Sequence, residues 1–288
     1  GPAAARIQSA VCLTESTATG ENPADGRGLF WTSTRIEGRT WHGREIATVK
    51  SHARLVIIGG GISGCSLLYH LTKLGWTDVV LIEKDELTSG STWLAAGNIV
   101  QWAPDRCTSR LLQHSISLYQ SLEAETGQQT GWQTTGSLRL ATTSDRMDEY
   151  RHVLSKDRAL GIACSLVSAE EAKGLFPFME ADGVVGAMYH ELDGHCDPAG
   201  TAMALAKGAR HAGAEIYRST RATDLSRTAG GEWVVHTEKG DITCEVVVNA
   251  GGLWAARVGA MAGVFVPTIA IEHHHLLFEG LPDIEALE

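Results

Sequence analysis

The chain has 288 residues, 43% of them hydrophobic and 20% charged, with a formal net charge of −10. That length can bury one large domain or two small ones. The acidic balance argues against nucleic acid as a partner and adds nothing in favour of an acidic membrane surface, and no apolar run approaches the roughly 20 residues that span a bilayer.

Residues 1–50 lack hydrophobic periodicity and contain no apolar h-region, so no secretory signal is read there. Glu15, Glu21, Asp25, Glu37 and Glu45 count against a transit peptide, which is poor in acids. A poorly ordered extension is expected over this stretch. Residues 54–83 organise the rest of the chain. The run LVII at 55–58 is short and β-branched, and reads as a buried strand. Gly59, Gly61 and Gly64 then form G-x-G-x-x-G. Ile62, Cys65, Leu68 and Leu71 recur near helical period up to Gly75, and VVLI at 79–82 ends on Glu83. This is a βαβ dinucleotide fingerprint. Gly59 allows the tight turn, Gly61 lets backbone approach a pyrophosphate, and Gly64 lets the helix lie close on the strand. The N–H groups and positive dipole at the helix start suit phosphate. Glu83 stands about 20 residues on, where a carboxylate takes ribose hydroxyls. The competing reading is a glycine-rich turn without a ligand.

The loop 84–98 is rich in small and hydroxyl residues, suiting close approach to a flat ligand, and it leaves the carboxyl end of a strand. A helix over 109–125 closed by Gly127, a strand over 136–141 and a charged surface helix over 145–160 come next. Ser168 with Glu171 marks a short helix ended by Pro177, residues 184–190 read as a strand, and 193–198 as a polar turn. Pro198 starts a helix running to about His211. Strands are expected over 214–217, 222–225, 233–236 and 242–244, the last pair a hairpin about Lys239-Gly240-Asp241. A separate strand over 245–250 runs into a glycine turn, and 264–278 reads as strand-like. The six cysteines, at 12, 65, 107, 164, 196 and 244, contain no C-x-x-C and read as free thiols of a reducing compartment. His190, His195 and Cys196 lie close in sequence, but their spacing matches no zinc pattern, so no metal is expected.

Together the stretches VIIGGGISGCSLLYHL, DVVLIEKDELTSGSTW, AETGQQTGWQTTGSLRLATT, DGHCDPAGTAMALAKGA and VVVNAGGLWAARVG, with the VP…EH near Pro267 to His273, resemble the flavin-dependent dimethylglycine and sarcosine dehydrogenases of the glycine/D-amino-acid oxidase group. The resemblance covers most of 54–280. It implies an α/β fold: a Rossmann-like FAD-binding domain (mainly 54–125 and 198–260) with an inserted α+β substrate domain (mainly 126–197 and 261–288) built on a mostly antiparallel sheet. It implies FAD at Gly59, Gly61, Ile62, Ser63, Gly64, Glu83 and Lys84. The loop positions Ser91, Thr92, Leu94, Ala95, Ala96 and Gly97 join them, as do Ala222, Ala250, Gly251 and Trp254. The implied reaction is oxidative N-demethylation in amino-acid catabolism: hydride passes from the N-methyl group of a small amino acid such as sarcosine or dimethylglycine to FAD, and electrons go on to oxygen or an electron-transfer flavoprotein. The compartment implied is the cytoplasm in a bacterium or the mitochondrial matrix in a eukaryote.

Three departures qualify the resemblance. The family's S-T-W-H-A-A-G loop carries a His bonded covalently to the flavin. Leu94 stands at that position here, so non-covalent FAD is expected. At 272–275 the chain reads EHHH, with His275 where the family has a tyrosine; His273 and His275 are the candidate bases for keeping the substrate amine neutral. Arg106 or Arg110 is a candidate grip for a substrate carboxylate. The family also continues well beyond this length, often into a folate-binding domain, so the chain resembles an N-terminal portion. The rival readings are a non-catalytic, regulatory flavin-binding relative and a nicotinamide-dependent dehydrogenase.

Overall fold

A computed structural model describes residues 48–272, which all fall in one compact unit. Most of the 1–50 extension, the distal part of the strand expected over 264–278, and both His273 and His275 lie outside the described residues.

Strand β1 (His52–Ile58), helix α1 (Ile62–Lys73) and strand β2 (Val79–Ile82) make the βαβ unit. β1 and β2 run parallel, with Leu55 opposite Val79 and Ile58 opposite Ile82. A 3₁₀ turn at Thr92–Leu94 leads to β3 (Asn98–Ile99) and α2 (Arg106–Thr126). This helix starts three residues before the expected 109 because the Asp105 carboxylate accepts from Thr108 N and caps it; Gly127, left-handed at φ 64°, ends it. Next come β4 (Gln133–Thr134), β5 (Ser137–Ala141), α3 (Ser144–Ala159) and β6 (Cys164–Val167). After them stand α4 (Ala169–Leu175), opened by a full Ser168/Glu171 capping box, β7 (Gly186–His190) and β8 (Gly194–His195). The last part holds α5 (Pro198–His211), β9 (Glu215–Tyr217), β10 (Ala222–Arg227), β11 (Trp233–Thr237), β12 (Gly240–Asn249) and α6 (Ala255–Met261).

Three expectations are corrected. The strands expected over 242–244 and 245–250 are one strand, β12, which pairs antiparallel with β11 at its start and parallel with β1 along most of its length. The polar turn at 193–198 contains β8, whose two residues pair with β3 on one side and β4 on the other. Residues 264–272 carry no strand. Most of their apolar side chains stand in solvent, with Phe265 88% and Ile269 89% exposed, so alternation there has no sheet to answer to.

The main sheet has the order β10-β11-β12-β1-β2-β9, in which β12, β1, β2 and β9 are parallel and β10-β11-β12 is an antiparallel meander. Two antiparallel three-stranded sheets, β3-β8-β4 and β5-β7-β6, come from residues 98–195. Alternation along the central strands builds a core on each face of the main sheet. Leu55, Ile57, Val79 and Leu81 pack with α1 and α5 on one side. Val56, Ile58, Val80 and Ile82 meet Val235, Ile242 and Val258 on the other. All four residues of β2 are buried, as expected for a parallel strand covered on both faces. Helices α1 and α5 touch closely because α5 presents small residues; a Cβ on its Gly208 would lie 2.8 Å from the Tyr69 ring. Buried Asp193 joins the two antiparallel sheets. Its carboxylate accepts from Gln101 N at 2.8 Å and from Ser137 Oγ at 2.6 Å.

Candidate functional site

Because β1, β2 and β12 are parallel, their carboxyl ends reach the same edge of the sheet, where ligands bind in open α/β folds. A cleft of about 530 Å³ opens there, within the usual range for small-molecule and cofactor sites. Its floor is Ile58, Ile82 and Ala250 at the strand ends, with the first residues of α1 at one side. Residues 220–223, entering β10, form a second wall, and Trp254, Val258 and Met261 form a third.

The three motif glycines serve three different purposes. Gly59 sits at φ +121°, and a Cβ there would lie 2.3 Å from the Ala250 carbonyl oxygen. A Cβ on Gly64 would lie 1.9 Å from the Gly59 carbonyl oxygen, so that glycine sets how closely α1 lies on β1. Gly61 has ordinary extended backbone, and a Cβ there would meet only Thr92 Oγ1, at 3.1 Å. It lines the cleft, and that single tight contact is all that packing sets against a side chain there. A Cβ on Gly60, the unnamed residue of the motif, would lie 2.6 Å from Leu87 Cδ2 and 2.9 Å from Glu83 Cβ.

Glu83 is fixed by the turn it faces. Its Oε2 accepts from Gly60 N at 2.7 Å and its Oε1 from Asp85 N at 2.9 Å, leaving each oxygen a further lone pair. Thr92 is buried and its hydroxyl accepts from Ile62 N at 3.0 Å, tying the 84–98 loop to the start of α1. No acid occupies the first turn of α1. Lys84, Arg221 and Arg257 line the cleft against a single acid, Glu83. In a chain of net charge −10 this local excess of cations suits an anionic ligand. The Lys84 ammonium lies 4.1 Å over the Trp254 ring and pairs with Asp85. Cys65, packed beneath the turn, donates to Gly60 O at 3.5 Å; burial, then the Glu83 charge, pushes its thiol up to about 12, so it stays protonated.

The cleft brings together Gly59, Gly61, Ile62, Ser63, Glu83, Lys84, Ser91, Thr92, Ala222, Ala250, Gly251 and Trp254. Gly64 acts beneath it, through packing. Leu94, Ala95 and Ala96 do not line the cleft; they are exposed at and just past the end of the 3₁₀ turn, with Leu94 47% accessible. Gly97 is buried elsewhere, at φ +80°, where a Cβ would lie 2.1 Å from the Cys196 carbonyl oxygen. That position serves the approach of residues 97 and 196, whose backbones are hydrogen-bonded at 3.0 Å. Arg106 opens α2 and lines a separate groove with Trp102 and Lys156, away from the cleft. Sequence reasoning missed Thr220, Arg221, Arg257, Val258 and Met261. The last two had a signal: Trp254, Val258 and Met261 are spaced i, i+4, i+7, as on one helical face.

Helix start, carboxylate, cations and apolar walls define a dinucleotide-binding α/β protein with its cleft formed. A family model described as FAD dependent oxidoreductase matches residues 54–288, and the chain belongs to that family. It is 40% identical over 239 residues to dimethylglycine dehydrogenase, mitochondrial, of Rattus norvegicus, covering 83% of this chain and 28% of that protein. Sarcosine dehydrogenase, mitochondrial, of Homo sapiens is 40% identical over 245 residues, covering 82% and 26%. Pyruvate dehydrogenase phosphatase regulatory subunit, mitochondrial, of Mus musculus is 36% identical over 249 residues, covering 86% and 28%. Among solved structures, L-proline dehydrogenase from P. horikoshii superposes with a TM-score of 0.70 at 30% identity, covering 75% of this chain and 57% of that one. The chain thus spans little more than a quarter of the length of these curated relatives. Among the described residues no helix is long and apolar enough to cross a membrane.

Proposed function

We propose that the cleft holds FAD non-covalently and that the protein of which this chain forms part oxidises the N-methyl group of a small amino acid such as sarcosine or dimethylglycine. The observation that carries the reading is the arrangement at the carboxyl ends of β1, β2 and β12, where Gly61 is bare toward the cleft and far less crowded than Gly59 or Gly64. Glu83 has lone pairs for ribose hydroxyls, and the start of α1 with Gly61, Ile62 and Ser63 suits the pyrophosphate. Ala222, Val258 and Met261 offer apolar surface for adenine. Bound FAD would supply the two-electron acceptor that no side chain provides. The chain's own share is to hold the cofactor, exclude water and keep the substrate amine neutral, the last a role for His273 or His275. The antiparallel sheets of residues 98–195 are assigned to the substrate side, and oxygen or an electron-transfer flavoprotein is the proposed acceptor. Leu94 has no nucleophilic atom, which is why the flavin is proposed to be released by acid precipitation; flavin in the pellet would refute that. The test of activity is anaerobic: sarcosine or dimethylglycine should bleach the flavin absorption of the holoprotein, and an unbleached spectrum refutes the substrate class.

A second reading has specific support. Leu94 in place of the family's attachment residue, together with the 36% identity to a protein named as a regulatory subunit, favours a flavin-binding relative that does no chemistry. Tight flavin binding without bleaching by any N-methyl amino acid is its signature.

A further inference from the structure

Away from the cleft, α3 and the β5-β7-β6 sheet enclose Asp157, Cys164 and His190. They come from three elements. Asp157 lies in the last turn of α3, and Cys164 and His190 are paired neighbours across β6 and β7. One donor atom from each lies within 4.8 Å of the other two. Asp157 Oδ2 and His190 Nε2 are 3.0 Å apart, with side chains 1% and 0% exposed. Asp157 Oδ1 and His190 Nδ1, equally buried, have no hydrogen-bond partner among the described residues. A buried carboxylate with an unused oxygen is costly unless another charge answers it.

We propose that these three residues form a divalent metal site of zinc type, independent of the flavin cleft. Thiolate, imidazole and carboxylate are zinc's ordinary donors. Bond lengths of about 2.0–2.3 Å at a tetrahedral angle place the donors roughly 3.3–3.7 Å apart. No pair must therefore close by more than roughly 1.5 Å from the present arrangement. Charge balances as well: a dication, one carboxylate and one thiolate sum to zero, with the imidazole neutral, which answers the buried carboxylate's charge. On binding, the sulfur–metal bond forms and the Cys164 thiol releases its proton to water. Cys164 is only partly buried, leaving room for water as a fourth ligand. The cluster escapes a sequence search because its spacing is D-x6-C-x25-H, unlike the paired ligands of common zinc patterns.

The test is to strip the purified chain with a chelator and titrate it with Zn²⁺ against a chromophoric competitor, and with Co²⁺ by difference absorption. One equivalent should bind, raise the melting temperature and give a thiolate-to-cobalt charge-transfer band. Cys164→Ser should lose the band and bind Zn²⁺ at least tenfold more weakly. Asp157→Asn should weaken binding while keeping the band, and Cys107→Ser, on an exposed helix position, should change nothing. Binding well below one equivalent, or a band that survives Cys164→Ser, overturns the proposal. In either case Asp157 and His190 are left as a structural hydrogen bond.

Discussion

Replacing Gly64 by alanine should damage the fold, whereas the same change at Gly61 should damage chiefly ligand binding. At Gly64 the new Cβ lies 1.9 Å from the Gly59 carbonyl oxygen. Real contacts of this kind are near 3.4 Å or longer, so α1 must rise from β1 by about 1.5 Å, loosening its packing on α5 as well. The obstructing atom is backbone and no rotamer relieves it. Overpacking costs about 1–3 kcal/mol when side chains can adjust, so about 3 kcal/mol or more is expected. At about 2–4 °C per kcal/mol for a domain of this size, the melting temperature should fall by about 6 °C or more. At Gly61 the backbone is extended and the Cβ meets one hydroxyl at 3.1 Å, a contact at the low end of the same range, about 1 kcal/mol. Affinity for FAD should nevertheless fall at least tenfold, because the methyl enters the space assigned to the pyrophosphate. Thermal melts of the apoproteins and calorimetric titration with FAD and ADP measure both quantities. Equal melting losses in the two variants, or wild-type FAD affinity in Gly61→Ala, would refute the division of labour.

Glu83→Ala frees two backbone N–H groups, of Gly60 and Asp85. It should cost about 1–3 kcal/mol by urea denaturation and reduce FAD affinity too; an unchanged urea midpoint would mean that water replaces the carboxylate fully. Glu125 is held below the usual carboxylate range, chiefly by the Lys73 ammonium and then by the Tyr69 hydroxyl at 2.8 Å, against an opposing effect of burial. A depressed folded pKa adds stability above the unfolded value and loses it as pH falls through the folded one. Glu125→Gln should therefore cost less than about 1 kcal/mol at pH 7, given its exposure, and nothing once both states are protonated; a deficit that persists in acid would contradict this. Among the cysteines of the described residues, iodoacetamide should reach exposed Cys107 first and spare Cys65 and Cys244, whose thiols burial pushes up to about 12 and about 11. Peptide mass analysis that finds Cys65 labelled as fast as Cys107 would show that α1 opens readily.

The βαβ unit was legible because three independent signals coincide within 30 residues: a β-branched run, a glycine turn and a helical period. The bounds of β2 and α5 were read as they are found, since abrupt composition changes at Asp78 and Pro198 mark their starts. The short strands β3, β4 and β8 left no trace, because two residues cannot express a period of two. β12 was read as two strands because its burial pattern changes midway, where its neighbours change from β11 alone to β1. Within the site, the glycine turn and Glu83 come from chemistry that residues reveal locally. Leu94 to Gly97 were carried over from the resemblance, and the structure puts that end of the loop outside the cleft. Of the wall that starts at Trp254, Val258 and Met261 were missed because alanine and glycine dilute the helical pattern.

The crowding at the glycine turn bears on how a ligand would be received. A side chain at Gly59 would meet Ala250, and one at Gly64 would meet Gly59, so these backbones approach closely. Ala250 N is in turn hydrogen-bonded to Ile58 O at 2.9 Å, and Gly59 N to Ile82 O at 2.9 Å. The end of β12, the end of β1, the end of β2 and the start of α1 are thus one steric unit. Glu83 is locked to the same unit through Gly60, and Thr92 through Ile62. A ligand entering this half of the cleft has little backbone to order, so little of its binding energy is spent on conformational entropy. Beyond Thr92 the 84–98 loop leaves the cleft, and Leu94, Ala95 and Ala96 stand in solvent. ADP should therefore bind with a small entropic penalty. Whatever FAD gains over ADP must come from groups outside this rigid turn, and the difference between the two titrations measures it directly.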